Sequence, residues 1–481
     1  MSETGAGLVV TVRRPGHGGL VLLAALTAVA YANVLGAGFQ FDDFNVIADN
    51  PDIHSRAALL AYLPHGIRPL LKLRDALLWS LGGGQPLAFH ACSVVVHLLN
   101  TGLVWHLGRR MFERCATPAP HAQSAAVFGA ALFAVLPVNT EAVTYVSGSS
   151  VAFSAMFMLA SLAMYDAFLE RGGGWRWLAC FGFFLGGLAA RETAATLPVL
   201  LLLWDALAPS RRGRLVRHAP FWLVLIAGLA LAVLRTRYDE FFAVSLSTRA
   251  PWDNALAQIR GLCWLLAQAL LLRPLDIDPD LHVPDGVDAT LVAQAALLAL
   301  LLLAGLVSGR RWPWAPFCAA WGVLHFLPTN SLLPRLDLAN DRQWYLPGIA
   351  ACWTLGYAIA AATAHAPRSA GIAAIALLSA LAWRTHERNL DYADEPSLWR
   401  QTLSQSPDKP RVLNNYGVAL RLEGRELQAR AAFLRALAVD PTFEAARKNL
   451  DATTDHLIED EPRTDGARAR FETAAPLAEK P

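Results

Sequence analysis

Residues 289–308 read ATLVAQAALLALLLLAGLVS, an apolar run that contains no charged side chain. A helix of about 20 residues spans the roughly 30 Å hydrocarbon core of a bilayer, so this run predicts a transmembrane helix. Comparable blocks occur along most of the sequence, whereas half-buried soluble helices show only a repeating apolar stripe. Together they predict eleven spans, near residues 20–35, 87–108, 124–138, 151–169, 175–190, 193–208, 219–234, 289–308, 312–328, 344–364 and 369–383.

The composition agrees with an all-α, multi-pass membrane protein. The 481 residues are 54% hydrophobic and 17% charged, and the mean hydropathy is +0.34. A formal net charge of only +2 argues against a nucleic-acid partner. Six cysteines are scattered without a metal-binding spacing and are predicted to be packing residues. The sequence predicts no cofactor and no metal site, and leaves open whether a divalent cation is required.

Arginines cluster in alternate loops between the predicted spans. They precede the first span and follow the second, fourth, sixth, eighth and tenth. By the positive-inside rule these loops and the N-terminus face the cytoplasm, while the C-terminus lies outside a bacterial inner (plasma) membrane. Residues 255–272 are apolar enough for a twelfth span, but that span would put Arg310 and Arg311 outside. A re-entrant or interfacial helix is therefore predicted there.

Two long loops, residues 36–86 and 237–287, then lie on the outer side. The first carries Asp42 and Asp43 directly after a predicted span. Adjacent carboxylates raise the pKa of one of the two groups, which suits a proton acceptor in catalysis. The alternative is a solvated acidic pair that ends a helix. If the pair is extended, the two side chains point to opposite faces and take different roles, with Asp42 favoured as the base.

Further charged residues stand in the outer loops and at the outer ends of the spans. Charges beside transmembrane segments are costly to hold, which makes them candidates for function. Guanidinium groups bind phosphate and a carboxylate can activate a hydroxyl, so the set suits a reaction on a phosphate-linked lipid. The candidates are Arg68, Glu141, Arg191, Glu192, Asp341 and Arg342. Each could instead be a capping or snorkelling residue.

The stretch Asp276-Ile277-Asp278-Pro279-Asp280 has the spacing of a two-carboxylate metal motif. It lacks a turn glycine and further ligands nearby. An outer, solvated loop is therefore predicted rather than a metal site.

The composition becomes polar and helical after the last apolar run. Residues 408–441 have the small, bulky and helix-ending positions of a 34-residue tetratricopeptide repeat, and Trp399 and Pro407 match a repeat one period earlier. Two repeats rarely stand alone, so they are expected to lean on the membrane domain or on a partner. The predicted boundaries are 1–385 for the membrane domain, 394–457 for the repeat domain and 459–481 for a disordered tail.

Several short motifs occur together in an order that resembles one family. They are Phe41-Asp42-Asp43 with Asn50-Pro51, Arg68-Pro69-Leu70, Phe89-His90 with His97-Leu98-Leu99-Asn100, Leu132-Phe133-Ala134 with Thr140-Glu141-Ala142-Val143, Arg191-Glu192, and Asp341-Arg342-Gln343-Trp344-Tyr345-Leu346-Pro347. Over about residues 20–450 the chain resembles the transmembrane and tetratricopeptide-repeat proteins of the protein O-mannosyltransferase type and their bacterial relatives.

The resemblance implies a GT-C glycosyltransferase that moves a sugar, such as mannose, from a polyprenyl-phosphate donor to protein Ser or Thr hydroxyls on the outer face. It implies that Asp42 or Asp43 is the general base and that Glu141 matches the acidic residue after the third span. Arg191-Glu192 stands where the family has Lys-Glu, and Asp341-Arg342 would contact the donor phosphate. The expected partners are therefore a polyprenyl-phosphate-sugar lipid and an acceptor protein or peptide bound by the repeats.

One departure from the family pattern bears on activity. Relatives have Gly-Arg and an acidic residue where this chain reads Ser147-Gly148-Ser149-Ser150-Val151, so both charges are lost. Two other functions therefore stay open. One is a transferase acting on a glycolipid or an envelope polymer. The other is a catalytically silent membrane scaffold that recruits partners through its repeats. In the enzyme, the repeats are predicted to govern acceptor choice rather than chemistry.

Overall fold

The computed structural model describes residues 17–207, 215–233, 243, 245, 247–270, 273–284, 286–330 and 334–460. Within these ranges the chain forms helices joined by turns and irregular segments, and no β-strand occurs there. The predicted all-α class is confirmed. The predicted tail, 459–481, lies outside the described residues except for its first two, which end the last helix.

The N-terminal half supplies the helices that surround the site. In chain order they are His17–Tyr31, Arg56–Tyr62, Pro69–Gly82, Leu87–Arg114, Ala119–Val135, Thr140–Val143, Ser150–Arg171, Gly174–Ala190 and Leu197–Ala206. The predicted loop 36–86 is thus partly helical, with two short amphipathic helices in it. Ser55 caps the first of these by accepting from Ala58 N.

The C-terminal half completes the bundle and adds a separate group of short helices. Its helices are Ala219–Val233, Pro251–Ala269, Ala289–Val307, Ala315–Phe326, Pro347–His365, Pro367–Leu390, Glu395–Gln405, Pro410–Leu422, Glu426–Val439 and Glu444–Asp460. We refer to residues 394–460 as the C-terminal helical segment. Two of its helices coincide with the predicted repeat 408–441. A Cβ at Gly417 would overlap the Phe433 ring, so glycine lets these two helices pack closely.

Each of the eleven predicted apolar runs coincides with at least one of these helices. By length and composition, four helices in the described part of the chain could cross a membrane: Leu87–Arg114, Ser147–Arg171, Ala289–Arg310 and Pro347–His365. A fifth crossing results if the bent pair Ala119–Val135 and Pro137–Val143 is one broken span. The remaining apolar helices are shorter or less apolar. The chain is therefore a helical membrane protein, and the count of eleven stays a prediction.

The core is built around the helix Ala119–Val135, which packs between Leu87–Arg114 and Pro347–His365. A Cβ at Gly356 would overlap the backbone of Gly129, so glycine permits the close approach of the two helices. Trp353 fills the same contact and donates its indole N–H to Val104 O at 3.0 Å. This packing fixes the ends of the helices from which the site residues project.

The predicted interfacial segment 255–272 corresponds to the helix Pro251–Ala269, and residues 271 and 272 lie outside the described part. The helix buries Asn254, Gln258 and Gln268 on one face. It is not among the helices that are apolar enough to cross a membrane.

The prediction of a solvated loop at residues 276–280 is wrong, because residues 276–279, including Asp276 and Asp278, are buried and only Asp280 is exposed. Lys409 Nζ lies 2.5 Å from Asp278 Oδ1, and Arg411 also pairs with this carboxylate. The Ser406 hydroxyl donates to Asp276 Oδ2 at 2.7 Å. The acidic stretch is therefore the surface to which the C-terminal helical segment binds.

Candidate functional site

Asp43 is a buried carboxylate with three donors around it. Oδ2 accepts from Gln40 N at 3.1 Å, and Oδ1 accepts from Ser147 N at 2.7 Å and from the Ser147 hydroxyl. Burial raises the pKa of Asp43 from 3.8 to about 7, although these hydrogen bonds oppose the shift. The contacts tie the segment after the first helix to the turn that precedes the helix Ser150–Arg171.

Asp42 is only half-buried, in contrast with its neighbour. Its backbone N–H donates to the Tyr145 hydroxyl at 3.2 Å. The premise that the acidic pair is extended is wrong. Asp43 has φ −60° and ψ −32°, and a π-helical turn begins at the next residue, so the two side chains diverge around a helical turn. Of the two carboxylates, Asp42 is the accessible one.

Glu141 and Arg342 form a buried ion pair at the centre of the site. Arg342 N donates to Glu141 Oε2 at 2.8 Å, and Arg342 Nη1 lies 3.4 Å from Oε1. Arg342 also interacts electrostatically with Tyr145 and Asp42. The guanidinium thus connects the acidic residue after the third predicted span to the acidic pair of the first outer loop.

Arg191 lies beside this pair and forms no ion pair within the described ranges. It is buried, and its Nη1 donates to the Ser150 hydroxyl at 2.6 Å. Burial lowers the pKa of Arg191, as do the positive charges of Arg68, Arg342 and Arg335. Four guanidinium groups are therefore close enough for their charges to repel, which favours an anionic ligand between them.

A narrow cavity of about 20 Å³, which is room for about one water molecule, opens at these arginines. Its lining combines two guanidinium groups with hydroxyl, imidazole and apolar side chains, and includes the first residues of the helix Pro347–His365. The lining residues are Val151, Arg191, Thr193, His325, Thr329, Arg342, Gln343, Leu346 and Pro347. An anionic group at the mouth of this cavity would therefore face two guanidinium groups.

Arg68 and Glu192 form an ion pair at the exposed edge of the cluster. Arg68 Nη2 donates to Glu192 Oε2 at 2.8 Å, and Arg68 Nε reaches Oε1 at 3.0 Å. Partial burial alone would raise the pKa of Glu192. The hydrogen bonds and the positive charge of Arg68 outweigh that effect, so this pKa lies below its ordinary value. Arg68 has φ +56°, a left-handed backbone conformation. The proline that follows it starts the helix Pro69–Gly82. The pair joins the first outer loop to the turn after Ala190.

Asp341 is buried and does not line the cavity. Within the described part of the chain, neither of its carboxylate oxygens has a hydrogen-bond partner. Burial and the charge of Glu141 raise its pKa well above the ordinary value, while Arg388 opposes the shift. The structure therefore brings all eight predicted residues into one group linked by hydrogen bonds, ion pairs or electrostatic interactions, but Asp341 is not among the residues that line the cavity.

Three serines of the stretch 147–150 take part in this group. Ser147 binds Asp43 and Ser150 binds Arg191, as described above. Ser149 accepts from Arg74 Nη1 at 3.0 Å. Arg74 and Arg335 were not among the residues predicted from the sequence. Arg335 could have been noticed as a positive charge in a loop predicted to lie outside, but Arg74 stands in a loop rich in charges and has no local signal.

The fold and this group define a class: a helical membrane protein with a charged site that combines a half-exposed carboxylate with several arginines. No family model matches the chain. It is similar to protein O-mannosyl-transferases of animals. The identity is 23% to one from Caenorhabditis elegans, over 90% of the present chain. It is 25% to Tmtc3 of Drosophila melanogaster over 93% of the present chain, and 23% to TMTC1 of Homo sapiens over 91%. The resemblance predicted from the motifs is confirmed.

The chain spans 64%, 58% and 57% of the lengths of these three relatives. Among solved structures it is similar to ArnT from Cupriavidus metallidurans bound to undecaprenyl phosphate, with a TM-score of 0.46 and 15% identity over 92% of this chain and 80% of that one. This degree of likeness does not establish a shared fold.

Proposed function

We propose that this protein is an inverting glycosyltransferase with a fold of the GT-C type. It transfers a sugar, with mannose the first candidate, from a polyprenyl-phosphate donor to Ser or Thr hydroxyls of a protein on the outer face of the membrane. The relatives are named protein O-mannosyl-transferases, which supports both the reaction class and the acceptor.

The observation that carries the proposal is the position of Arg342. It lines the cavity together with Arg191 and interacts electrostatically with the half-exposed Asp42. Asp42 would accept the proton of the acceptor hydroxyl while that oxygen attacks the anomeric carbon. The bond from that carbon to the phosphate oxygen breaks, and its electron pair leaves with the polyprenyl phosphate. General-base assistance of this kind contributes about 10²–10⁴ in rate.

The charge balance of the arginine cluster suits this leaving group. Glu141 pairs with Arg342 and Glu192 pairs with Arg68, while Arg191 and Arg335 form no ion pair within the described ranges. Arg191, which lines the cavity, is thus available to bind phosphate. Positive charge positioned before the reaction stabilises the charge that develops on the leaving oxygen.

The distribution of charges between the two ends of the bundle supports the proposed orientation. The site lies at one end of the helix Ser150–Arg171. At its other end, Arg114 Nη2 lies 2.6 Å from Asp166 Oδ1, and Arg110 also pairs with Asp166. The loops predicted to be cytoplasmic therefore meet away from the site. We place the protein in a bacterial inner membrane, with eleven spans and with the C-terminal helical segment outside as tetratricopeptide repeats.

The test is a transfer assay with the purified full chain in lipid nanodiscs. Synthetic polyprenyl-phosphate-mannose and a Ser/Thr-rich peptide are supplied, and the peptide is examined by mass spectrometry. A mass increase of one hexose on a hydroxyl residue supports the proposal. Donor consumption with sugar appearing on a lipid or polymer acceptor, and none on peptide, would favour the glycolipid alternative. If the donor binds but is never consumed with any acceptor or sugar, the scaffold function replaces the enzyme.

A further inference from the structure

The residue directly before Asp42 is bound by the first helix of the C-terminal helical segment, Glu395–Gln405. Phe41 N donates to Glu395 Oε2 at 2.8 Å. The other oxygen of the same carboxylate accepts from Trp399 Nε1 at 2.9 Å. The Phe41 ring meets the buried Trp399 ring edge-on, with 5.0 Å between centroids. One carboxylate thus connects the backbone beside Asp42 to an indole that is packed in the core of the segment.

Phe41 has an unfavourable backbone conformation. Its φ is +48°, in a left-handed region that bulky L-residues rarely occupy. Such a conformation persists only where neighbouring contacts impose it. The contacts that Phe41 makes with Glu395 and Trp399 are of this kind, and they set the direction in which the chain enters the helical turn of Asp42.

Two further contacts run along the same line. Gly38 N donates to Ala393 O at 3.0 Å, and the Gln40 side-chain amide donates to the Tyr392 carbonyl. Residues 38–41 therefore lie against residues 392–395, the junction between the last long helix of the bundle and the C-terminal helical segment. The position of Asp42 depends on both parts of the chain.

The C-terminal helical segment is itself fixed to the membrane domain. Asp278 is bound by Lys409 and Arg411, and Arg411 Nη2 also lies 2.6 Å from Asp337 Oδ1. Asp337 in turn interacts electrostatically with Arg342. The helix that carries Glu395 is therefore held at a fixed distance from the arginines of the site.

We propose that Glu395, supported by Trp399, is a positioning residue for the general base. It fixes the strained backbone at Phe41 so that the carboxylate of Asp42 faces the reacting hydroxyl. This inference rests on the proposed function. It replaces the expectation that the C-terminal helical segment acts only in acceptor choice, because that segment supplies one side of the support for Asp42.

The experiment measures steady-state transfer by the full-length Glu395→Gln variant. The side-chain amide of this variant offers one acceptor oxygen, whereas the two donors, Phe41 N and Trp399 Nε1, need one each, so one of the two bonds is lost. A fall of at least tenfold in kcat is expected, with the KM for the lipid donor unchanged because the arginines are untouched. Glu444→Gln, an exposed change in the same segment, is the matched control and is expected to behave as the parent chain.

Phe41→Leu removes the ring contact with Trp399 and keeps the backbone N–H that Glu395 accepts. Since both variants release the same backbone segment, the double variant Glu395→Gln with Phe41→Leu is expected to be no slower than the slower single variant. Hydrogen exchange supplies a readout that does not need activity: amides of residues 39–48 are expected to exchange faster in Glu395→Gln than in Glu444→Gln. If Glu395→Gln fails to accumulate, Phe41→Leu is measured in its place.

The inference is overturned if Glu395→Gln keeps the parent kcat and the parent exchange of residues 39–48, or if the losses in the double variant multiply. Failure of the proposed function is a different result, because the parent chain would then transfer no sugar at all. Faster exchange in a chain without transferase activity would still show that Glu395 positions the loop.

Discussion

Arg342 donates its backbone N–H to one oxygen of Glu141 at 2.8 Å and places its guanidinium 3.4 Å from the other, although 201 positions separate the two residues. The pair joins a helix end after the third predicted span to the turn before the tenth. The Glu141 carboxylate is buried, so its charge is compensated by Arg342 rather than by water. This relationship is the centre of the site, and its loss is expected to affect both stability and activity.

The pair predicts a stability effect for Glu141→Gln. Removal of one partner from a buried ion pair leaves the other charge uncompensated, which costs roughly 3 kcal/mol or more. The apparent Tm in detergent is expected to fall accordingly, and the double variant Glu141→Gln with Arg342→Gln should recover part of the loss. Glu423→Gln breaks an exposed pair with Arg425 and is expected to cost under about 1 kcal/mol. Equal Tm values for Glu141→Gln and Glu423→Gln would contradict this account.

Arg191 predicts an effect on donor binding. A charge-assisted hydrogen bond contributes about 1.5–3 kcal/mol, and about 1.4 kcal/mol corresponds to tenfold in affinity. Arg191→Gln is therefore expected to weaken binding of a polyprenyl phosphate by about tenfold to a hundredfold, measured by titration in nanodiscs. The affinity of Arg191→Lys should lie between those of the parent chain and Arg191→Gln, because lysine keeps the positive charge but cannot form the paired hydrogen bonds of a guanidinium group. Arg176→Gln, at the opposite end of the bundle, is the control. If Arg191→Gln binds the lipid as the parent chain does, the phosphate site lies elsewhere.

These effects show where the sequence was informative. Apolar runs predict helices because hydrocarbon leaves the backbone no other way to satisfy its hydrogen bonds, and all eleven runs are helical. The loops that carry Asp42, Glu141, Arg191 and Arg342 were predicted to share one side of the membrane, so these residues could be grouped from order and charge alone.

The contacts that could not be predicted from the sequence join single residues that are far apart along the chain. Asp278 binds Lys409 and Arg411 across more than 130 positions, and nothing in the local pattern distinguishes that carboxylate from a solvated one. The left-handed conformation of Phe41 is likewise imposed by Trp399 from far along the chain. An aromatic residue gives no local sign of such a conformation, as a glycine would.

Asp43 predicts a pH dependence of stability. Its pKa is 3.8 as an ordinary aspartate and about 7 in the folded protein, so the folded state binds this proton more tightly. The stability it contributes is therefore complete below about pH 4 and is lost as the pH rises through 7, at a slope of no more than about 1.4 kcal/mol per pH unit. Asp43→Asn cannot ionise.

The measurement is the apparent Tm of the parent chain and of Asp43→Asn at pH 5 and pH 8. The substitution loses hydrogen bonds at both values, but its deficit is expected to be smaller at pH 8, where the parent has ionised the buried carboxyl. An equal deficit at pH 5 and pH 8 would mean that the Asp43 pKa is not raised.

The orientation of the chain predicts the outcome of reporter fusions. A reporter placed after Arg212 is expected to be cytoplasmic and one placed after Pro481 to be outside, since eleven spans, an odd number, are predicted before the C-terminus. Enzyme reporters active on only one side of the membrane distinguish the two positions. Two cytoplasmic reporters would mean that residues 255–272 cross the membrane and that the C-terminal helical segment lies on the inner side.

The central claim is that Asp42 is the general base, and transfer rates of three single variants test it most directly. Asp42→Asn keeps the size of the side chain and removes the base, so transfer is expected to fall by at least 100-fold, within the range of about 10²–10⁴ for general-base assistance, with the donor affinity unchanged. Asp43→Asn is expected to lose less activity than Asp42→Asn but to disorder the loop more. Asp49→Asn, an exposed change in the same loop, is expected to lose no activity. If Asp42→Asn transfers sugar at the parent rate, Asp42 is not the base and the mechanism proposed for this site is wrong.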